Sequence, residues 1–150
     1  MSAAQGRLII VDDFEPFRRF VTSILQKHPE LQVICEVSDG FEAVQKAKDL
    51  KPDLILLDVG LPKLTGIEAA EQIGKVAPRS KILFVSQESS ADTVREALST
   101  GACGYVVKTD ARSDLLAAVS AVLNGKRFVC RSLAAHDFTD NTNSRGRHGM

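Results

Sequence analysis

The sequence has no excess of charge. Lysine plus arginine number 19 and aspartate plus glutamate 19 in 150 residues, so the formal net charge is zero. That speaks against a dedicated nucleic-acid binder, while leaving room for a local basic patch. No apolar run approaches the ~20 residues of a membrane span. The opening Met1-Ser2-Ala3-Ala4-Gln5-Gly6 has no signal-peptide core. Only three cysteines occur, Cys35, Cys103 and Cys130, an odd number without metal-ligand spacing. They read as reduced thiols, and a cytoplasmic location is expected. No glycine-rich loop follows the first apolar run. Asp13-Phe14-Glu15-Pro16 stands there instead and would repel a phosphate, which disfavours a nucleotide- or cofactor-binding module or hydrolase. There is no internal repeat beyond an alternation of strand and helix patterns.

What is present is organised around Lys51 to Pro62. Leu54 to Leu57 run without a polar break, as in a strand buried on both faces of a parallel sheet. Asp58 follows, and Gly60 and Pro62 turn the chain away. Leu8 to Val11 has the same design and leads into Asp12 and Asp13. Lys81 to Val85 and Gly104 to Lys108 give two more strands, and Leu31 to Val37 alternates like a less buried edge strand.

Helical periodicity fills the intervals. Pro16 suits a first helical turn, and Phe17, Phe20, Val21, Ile24 and Leu25 carry that helix to about Lys27, before Pro29. Ser38-Asp39-Gly40 caps a second helix with Phe41, Val44, Ala47 and Leu50 on one face. Thr65 and Glu68 form a capping box for a third helix, which ends before Pro78. A fourth carries Val94, Ala97 and Leu98 and ends at Gly101. A fifth, capped by Asp110 or Ser113, turns Leu115, Leu116, Val119, Val122 and Leu123 inward and ends at Gly125. Five strands alternating with five helices predict an α/β, flavodoxin-like, doubly wound parallel sheet of order 2-1-3-4-5. The switch point then lies between strands one and three, where Asp12, Asp13 and Asp58 meet.

Three carboxylates in one pocket repel unless a cation sits among them. With Ser86 and Lys108 they make a phosphoryl-transfer site. Two carboxylates and a backbone carbonyl beyond Asp58 would supply the protein's share of Mg2+ ligands. Asp58 is the candidate nucleophile, Lys108 a point charge for a phosphoryl oxygen, and Ser86 a hydroxyl donor. Each residue alone has an ordinary explanation as a turn, cap or solvated group. Those explanations weaken jointly, because all five groups fall at carboxyl ends of predicted strands.

From about Arg7 to Phe128 the chain resembles a response-regulator receiver domain of two-component signalling, a CheY-like fold. The matching pieces are Val11-Asp12-Asp13, Leu56-Leu57-Asp58-Val59-Gly60-Leu61-Pro62, Val85-Ser86, and Gly101 to Lys108. The last of these, with Asn124-Gly125-Lys126-Arg127-Phe128, is similar to the NarL/FixJ receivers that usually carry a LuxR-type helix-turn-helix. The resemblance implies that Asp58 accepts a phosphoryl group from a sensor histidine kinase or phosphotransfer protein. It also implies that Asp12 or Asp13, Asp58 and the Gly60 carbonyl hold Mg2+, Asp13 more directly. Ser86 and Tyr105 become the switch pair, and Lys108 contacts the phosphoryl group. Three residues depart from the family pattern: Thr109 stands where proline is common, Gly60 offers no side chain, and Gln87 is larger than usual.

A receiver over 7–128 is thus expected, followed by an extension over 129–150. Residues Lys126 to Phe138 would pack on the domain in part, and Thr139 to Met150 would be disordered. The extension is too short and polar for a DNA-binding domain. The expected role is a phospho-acceptor switch, not an enzyme, that promotes only its own phosphorylation and dephosphorylation. It would act through the surface of helix four, strand five and helix five. The expected output is a phosphorylation-dependent homodimer or a downstream protein, with no membrane contact and no DNA binding by this chain alone. The alternative is the receiver fragment of a LuxR-type DNA-binding transcriptional regulator.

Overall fold

Uninterrupted apolar runs need cover on both faces, and the fold supplies it. The computed structural model describes residues 5–136. In chain order the elements are β1 (Gly6–Val11), α1 (Glu15–Leu25), β2 (Leu31–Val37), α2 (Gly40–Leu50), β3 (Leu54–Leu57), α3 (Gly66–Val76), β4 (Lys81–Ser86), α4 (Ala91–Leu98), β5 (Gly104–Val107), α5 (Ala111–Leu123) and β6 (Phe128–Val129). Short 3-10 turns cover Lys108–Asp110 and Arg131–His136. Every strand pair is parallel, in the order β2-β1-β3-β4-β5-β6. All four residues of β3 are buried, as are Leu8 to Val11 of β1.

The expected order is present, with one correction: the sheet has six strands, not five. Gly104 explains the addition. A Cβ there would run into the Phe128 carbonyl oxygen. Without one, the chain after α5 lies flat along β5, with Phe128 N–H donating to Cys103 O and Cys130 N–H to Tyr105 O, both at 3.1 Å. Cys130 and Leu133 are buried in the core, so part of the expected packing after Gly125 is present. The expected disorder of Thr139 to Met150 lies outside the described residues.

Local details differ where tertiary contacts override periodicity. Strand β2 is the edge, but its alternation breaks at a bulge: Leu8 pairs with Val33 and Ile9 with Cys35, leaving Ile34 extra. Phe41 is exposed. The buried face of α2 is Gly40, Ala43, Val44 and Ala47, because Gly40 sits against the Leu64 carbonyl with no room for a side chain. The Thr65–Glu68 capping box forms as expected. Neither Asp110 nor Ser113 caps α5 through its side chain. Asp110 is at the cap position, but its carboxylate accepts from Ser132 N–H at 3.0 Å instead.

Candidate phosphoryl-transfer site

Register delivers the acids. Val11 pairs with Leu57 at the last rung between β1 and β3, so Asp12 and Asp58 leave the sheet side by side. Both backbones are still held there: Asp12 N–H donates to Val37 O and Asp58 N–H to Val11 O, each at 3.1 Å. Across β4 and β5, Ser86 pairs with Val107, which places Lys108 one residue beyond. Asp13, Phe14, Asp58, Gly60, Ser86, Gln87, Glu88 and Lys108 line a cleft of about 380 Å3. Among the described residues no cis peptide bond occurs, so Lys108–Thr109 is trans.

Carboxylate oxygens of Asp12, Asp13 and Asp58 lie within 4.8 Å of one another. Asp13 is exposed, whereas Asp12 and Asp58 are buried. Lys108 Nζ lies 2.8 Å from Asp12 Oδ2 and 3.4 Å from Asp58 Oδ2. The close approach to Asp12 is an ion pair outside hydrogen-bond geometry, so buried Asp12 Oδ2 has no directed donor. Burial pushes the Asp12 carboxyl above its usual range, aided by the Asp58 charge and opposed by Lys108 and the Phe14 N–H. An under-satisfied buried oxygen facing two further carboxylates fits a hard divalent cation with oxygen ligands. Gly60 borders the site, and its N–H donates to Asp58 Oδ1 at 3.3 Å.

Ser86 and Tyr105 meet at Glu88. The Ser86 hydroxyl accepts from Glu88 N–H at 3.2 Å, and the Tyr105 hydroxyl donates to Glu88 O at 2.7 Å. Tyr105 is completely buried against Phe84, with ring centroids 6.0 Å apart. Burial raises its hydroxyl pKa, against a smaller opposing effect from Ser86. The loop from Ser86 to Glu88 is therefore tied to β5 through one buried phenol.

Three contributors escaped the sequence reading. Gly66 opens α3 directly under Asp58: its N–H donates to Val59 O at 2.8 Å, and a Cβ there would strike the Asp58 carbonyl oxygen. Its position right after the Thr65 cap was the available signal. Phe17 reads in the sequence as one residue of a core-facing helix stripe, yet its ring lies 4.4 Å below Lys108 Nζ and shields that cation. Arg18 donates to Asp12 O at 2.7 Å and bridges to Glu36, which anchors the turn after β1. No local pattern distinguishes that arginine from a solvated one.

Residues 8–120 match the family model described as the response regulator receiver domain. The chain is 34% identical over 123 residues to the transcriptional regulatory protein DegU of Brevibacillus brevis, covering 82% of this chain and 52% of that protein. It is 35% identical over 129 residues to the transcriptional regulatory protein LnrK of Bacillus subtilis, covering 86% and 59%. The chain thus spans little more than half the length of these curated relatives. A LuxR-family two-component response regulator from Aurantimonas superposes with a TM-score of 0.82 at 27% identity, covering 93% of this chain and 99% of that one. The signal receiver domain of NarL from Mycobacterium tuberculosis gives 0.77 at 28% identity, covering 81% and 98%. Among the described residues no helix is long and apolar enough to cross a membrane. With its six-stranded flavodoxin-like sheet and the acidic crevice at its switch point, the chain belongs to the response regulator receiver family of two-component signalling.

Proposed function

We propose that Asp58 is the phosphoryl acceptor. A carboxylate oxygen attacks phosphorus in line with the donor, the new O–P bond forms, and the donor's bond to phosphorus breaks. With a phosphohistidine donor the imidazole nitrogen keeps the electron pair and takes a proton from water. Lys108 follows the developing charge and leaves Asp12 for a phosphoryl oxygen. Ser86 offers its hydroxyl to a second oxygen. Asp13, Asp12, Asp58 and the Gly60 carbonyl would hold Mg2+, which offsets the charge of carboxylates and phosphoryl group together. The observation that carries this reading is the ion pair of half-buried Lys108 with both Asp12 and Asp58 in the three-carboxylate crevice.

The donor is a sensor histidine kinase or phosphotransfer protein, and the protein works in the cytoplasm as a phospho-acceptor switch. As Ser86 and Tyr105 change partners, the α4–β5–α5 surface shifts between two states and alters affinity for a second copy or a downstream protein. The folded unit that switches runs through Leu133, which is buried along with Cys130. One observation favours a second reading of the output. The relatives DegU and LnrK are transcriptional regulators, and this chain spans only 52% and 59% of their lengths. In a longer protein of that kind the same switch would govern DNA binding.

Incubation with Mg2+ and a small acyl phosphate tests the acceptor role by intact mass. The parent gains one phosphoryl group, and Asp58→Asn gains none. Equal modification of the two proteins would remove Asp58 from the mechanism.

A further inference from the structure

The chain after α5 returns to the catalytic lysine. Val107 immediately precedes Lys108, and its backbone N–H donates to Cys130 Sγ at 3.3 Å. Beyond Lys108, Asp110 Oδ2 accepts from Ser132 N–H at 3.0 Å. In the first turn of α5, Asp114 Oδ2 accepts from Arg131 N–H at 3.0 Å, and its other oxygen lies 3.5 Å from the Arg131 guanidinium. Cys130 N–H donates to the carbonyl of Tyr105. Cys130 is fully buried and Leu133 nearly so. The bonds fall on residues 105, 107, 110 and 114, on both sides of Lys108. A segment tied down only for packing has no reason to concentrate its polar bonds there.

We propose that residues 128–133 form a strap that positions Lys108 and reports the state of Asp58 to the chain leaving the receiver. This rests on Asp58 as the phosphoryl acceptor. Lys108 now pairs with Asp12 and Asp58 over the Phe17 ring. Re-pairing with a phosphoryl oxygen pulls on a backbone segment clasped by the strap on either side. Coupling between two sites is reciprocal in binding free energy, so a load on the strap also changes the affinity of the Asp58 site for beryllium fluoride, and a displaced Lys108 slows its modification. Asp110, Asp114 and Cys130 act here as positioning residues, since none of them touches the pocket.

Hydrogen–deuterium exchange of the whole 150-residue chain tests the strap, with Mg2+ present and beryllium fluoride added as phosphoryl mimic. Amides of residues 128–133 and of Val107 change exchange rate by about fivefold or more, the lower end of ordinary coupling. Asp114→Ala slows modification by a small acyl phosphate by a similar factor. Asp114→Asn restores it, because its amide oxygen still accepts from Arg131 N–H. Ser132→Pro removes the amide held by Asp110, along with the hydroxyl beside Cys130 Sγ, and it slows modification in the same way should Asp114→Ala fold poorly. Protection of the Ser86–Glu88 loop by beryllium fluoride with unchanged strap amides overturns the strap and leaves Asp58 in place. So does an Asp114→Asn protein as slow as Asp114→Ala, or a folded Ser132→Pro protein as fast as the parent. A parent that takes neither beryllium fluoride nor a phosphoryl group overturns both proposals.

Discussion

Helix α3 has a glycine at each end of its course, and the two meet opposite surroundings. Gly66, at the carboxyl ends of the strands, lies so close to Asp58 that a side chain has no room. Gly74, at the amino ends, has nothing within 4 Å of where a Cβ would stand. The sheet as a whole is divided the same way. The amino-end cleft, about 670 Å3, is the larger of the two, and Arg79, Lys81, Lys126 and Arg127 line it without any carboxylate. The carboxyl-end cleft is about 380 Å3, and beside it the buried polar groups Asp12, Asp58 and Ser86 are packed. Size does not single out the proposed site here. The costly features do: buried charge, an under-satisfied oxygen and a backbone too close for a methyl group. A net charge of zero conceals this difference between the two clefts.

The largest predicted contrast is between two lysines. Lys108→Ala slows modification by a small acyl phosphate about 10²-fold, on the scale of losing one preorganised charge donor. Lys81→Ala, in the basic cleft, changes the rate less than about twofold, as expected of a surface change. Comparable losses in both variants would erase the distinction between the two ends.

The glycines give the next contrast, read from thermal or denaturant unfolding. Gly66→Ala destabilises by about 1–3 kcal/mol, the range for overpacking a rigid site. Gly74→Ala stabilises by about 0.5–1 kcal/mol, because alanine favours a helix interior and nothing obstructs it. A neutral Gly66→Ala would mean the Asp58 backbone yields easily.

A smaller effect sharpens the electrostatic side. Folded Asp12 holds its proton to higher pH than unfolded Asp12, because burial raises its pKa. Between those two values the native state binds more protons, so stability falls as pH rises through the window and the cost persists above it. Asp12→Asn therefore stabilises the metal-free protein at neutral pH by about 0.5–2 kcal/mol, within the usual range of stabilising substitutions. The advantage disappears at acid pH below both values. Urea unfolding at neutral and acid pH measures it, and a variant less stable than the parent at neutral pH would contradict the sign.

The smallest effect concerns the thiols. Burial raises the Cys130 pKa, against an opposing hydrogen bond from Val107 N–H, and the side chain has no exposure. Cys35 and Cys103 are half-buried. In the native protein a maleimide modifies those two before Cys130, and peptide mapping orders them. Early loss of Cys130 would mean that the strap opens freely.

Much of this fold is legible in the sequence because burial on both faces writes itself as an unbroken apolar run. Leu8–Val11 and Leu54–Leu57 are short apolar runs, and Gly60 and Pro62 end the second with a turn, which favours strands over helices. The acids that end the two runs mark the crevice. The Thr65–Glu68 box is legible because capping is a local bond at fixed spacing. Features set by remote contacts are not. Strand β6 has two residues and no period, and depends on the bare Cα of Gly104 across the sheet. The exposure of Phe41 follows from Gly40 meeting Leu64, and the lost side-chain cap on α5 from Asp110 binding Ser132 instead. The candidate residues stand at strand ends, where a sequence pattern marks them; of their supports, Gly66 has only its place after the Thr65 cap as a signal, and Phe17 and Arg18 act through packing that no local pattern encodes.

The most direct measurement locates the phosphoryl group itself. The parent is treated with Mg2+ and a small acyl phosphate, reduced with borohydride to convert any aspartyl phosphate to homoserine, and mapped by peptide mass spectrometry. Homoserine at position 58 and at no other aspartate is the predicted result. Homoserine at position 12 or 13, or none anywhere in a phosphorylated sample, would contradict it.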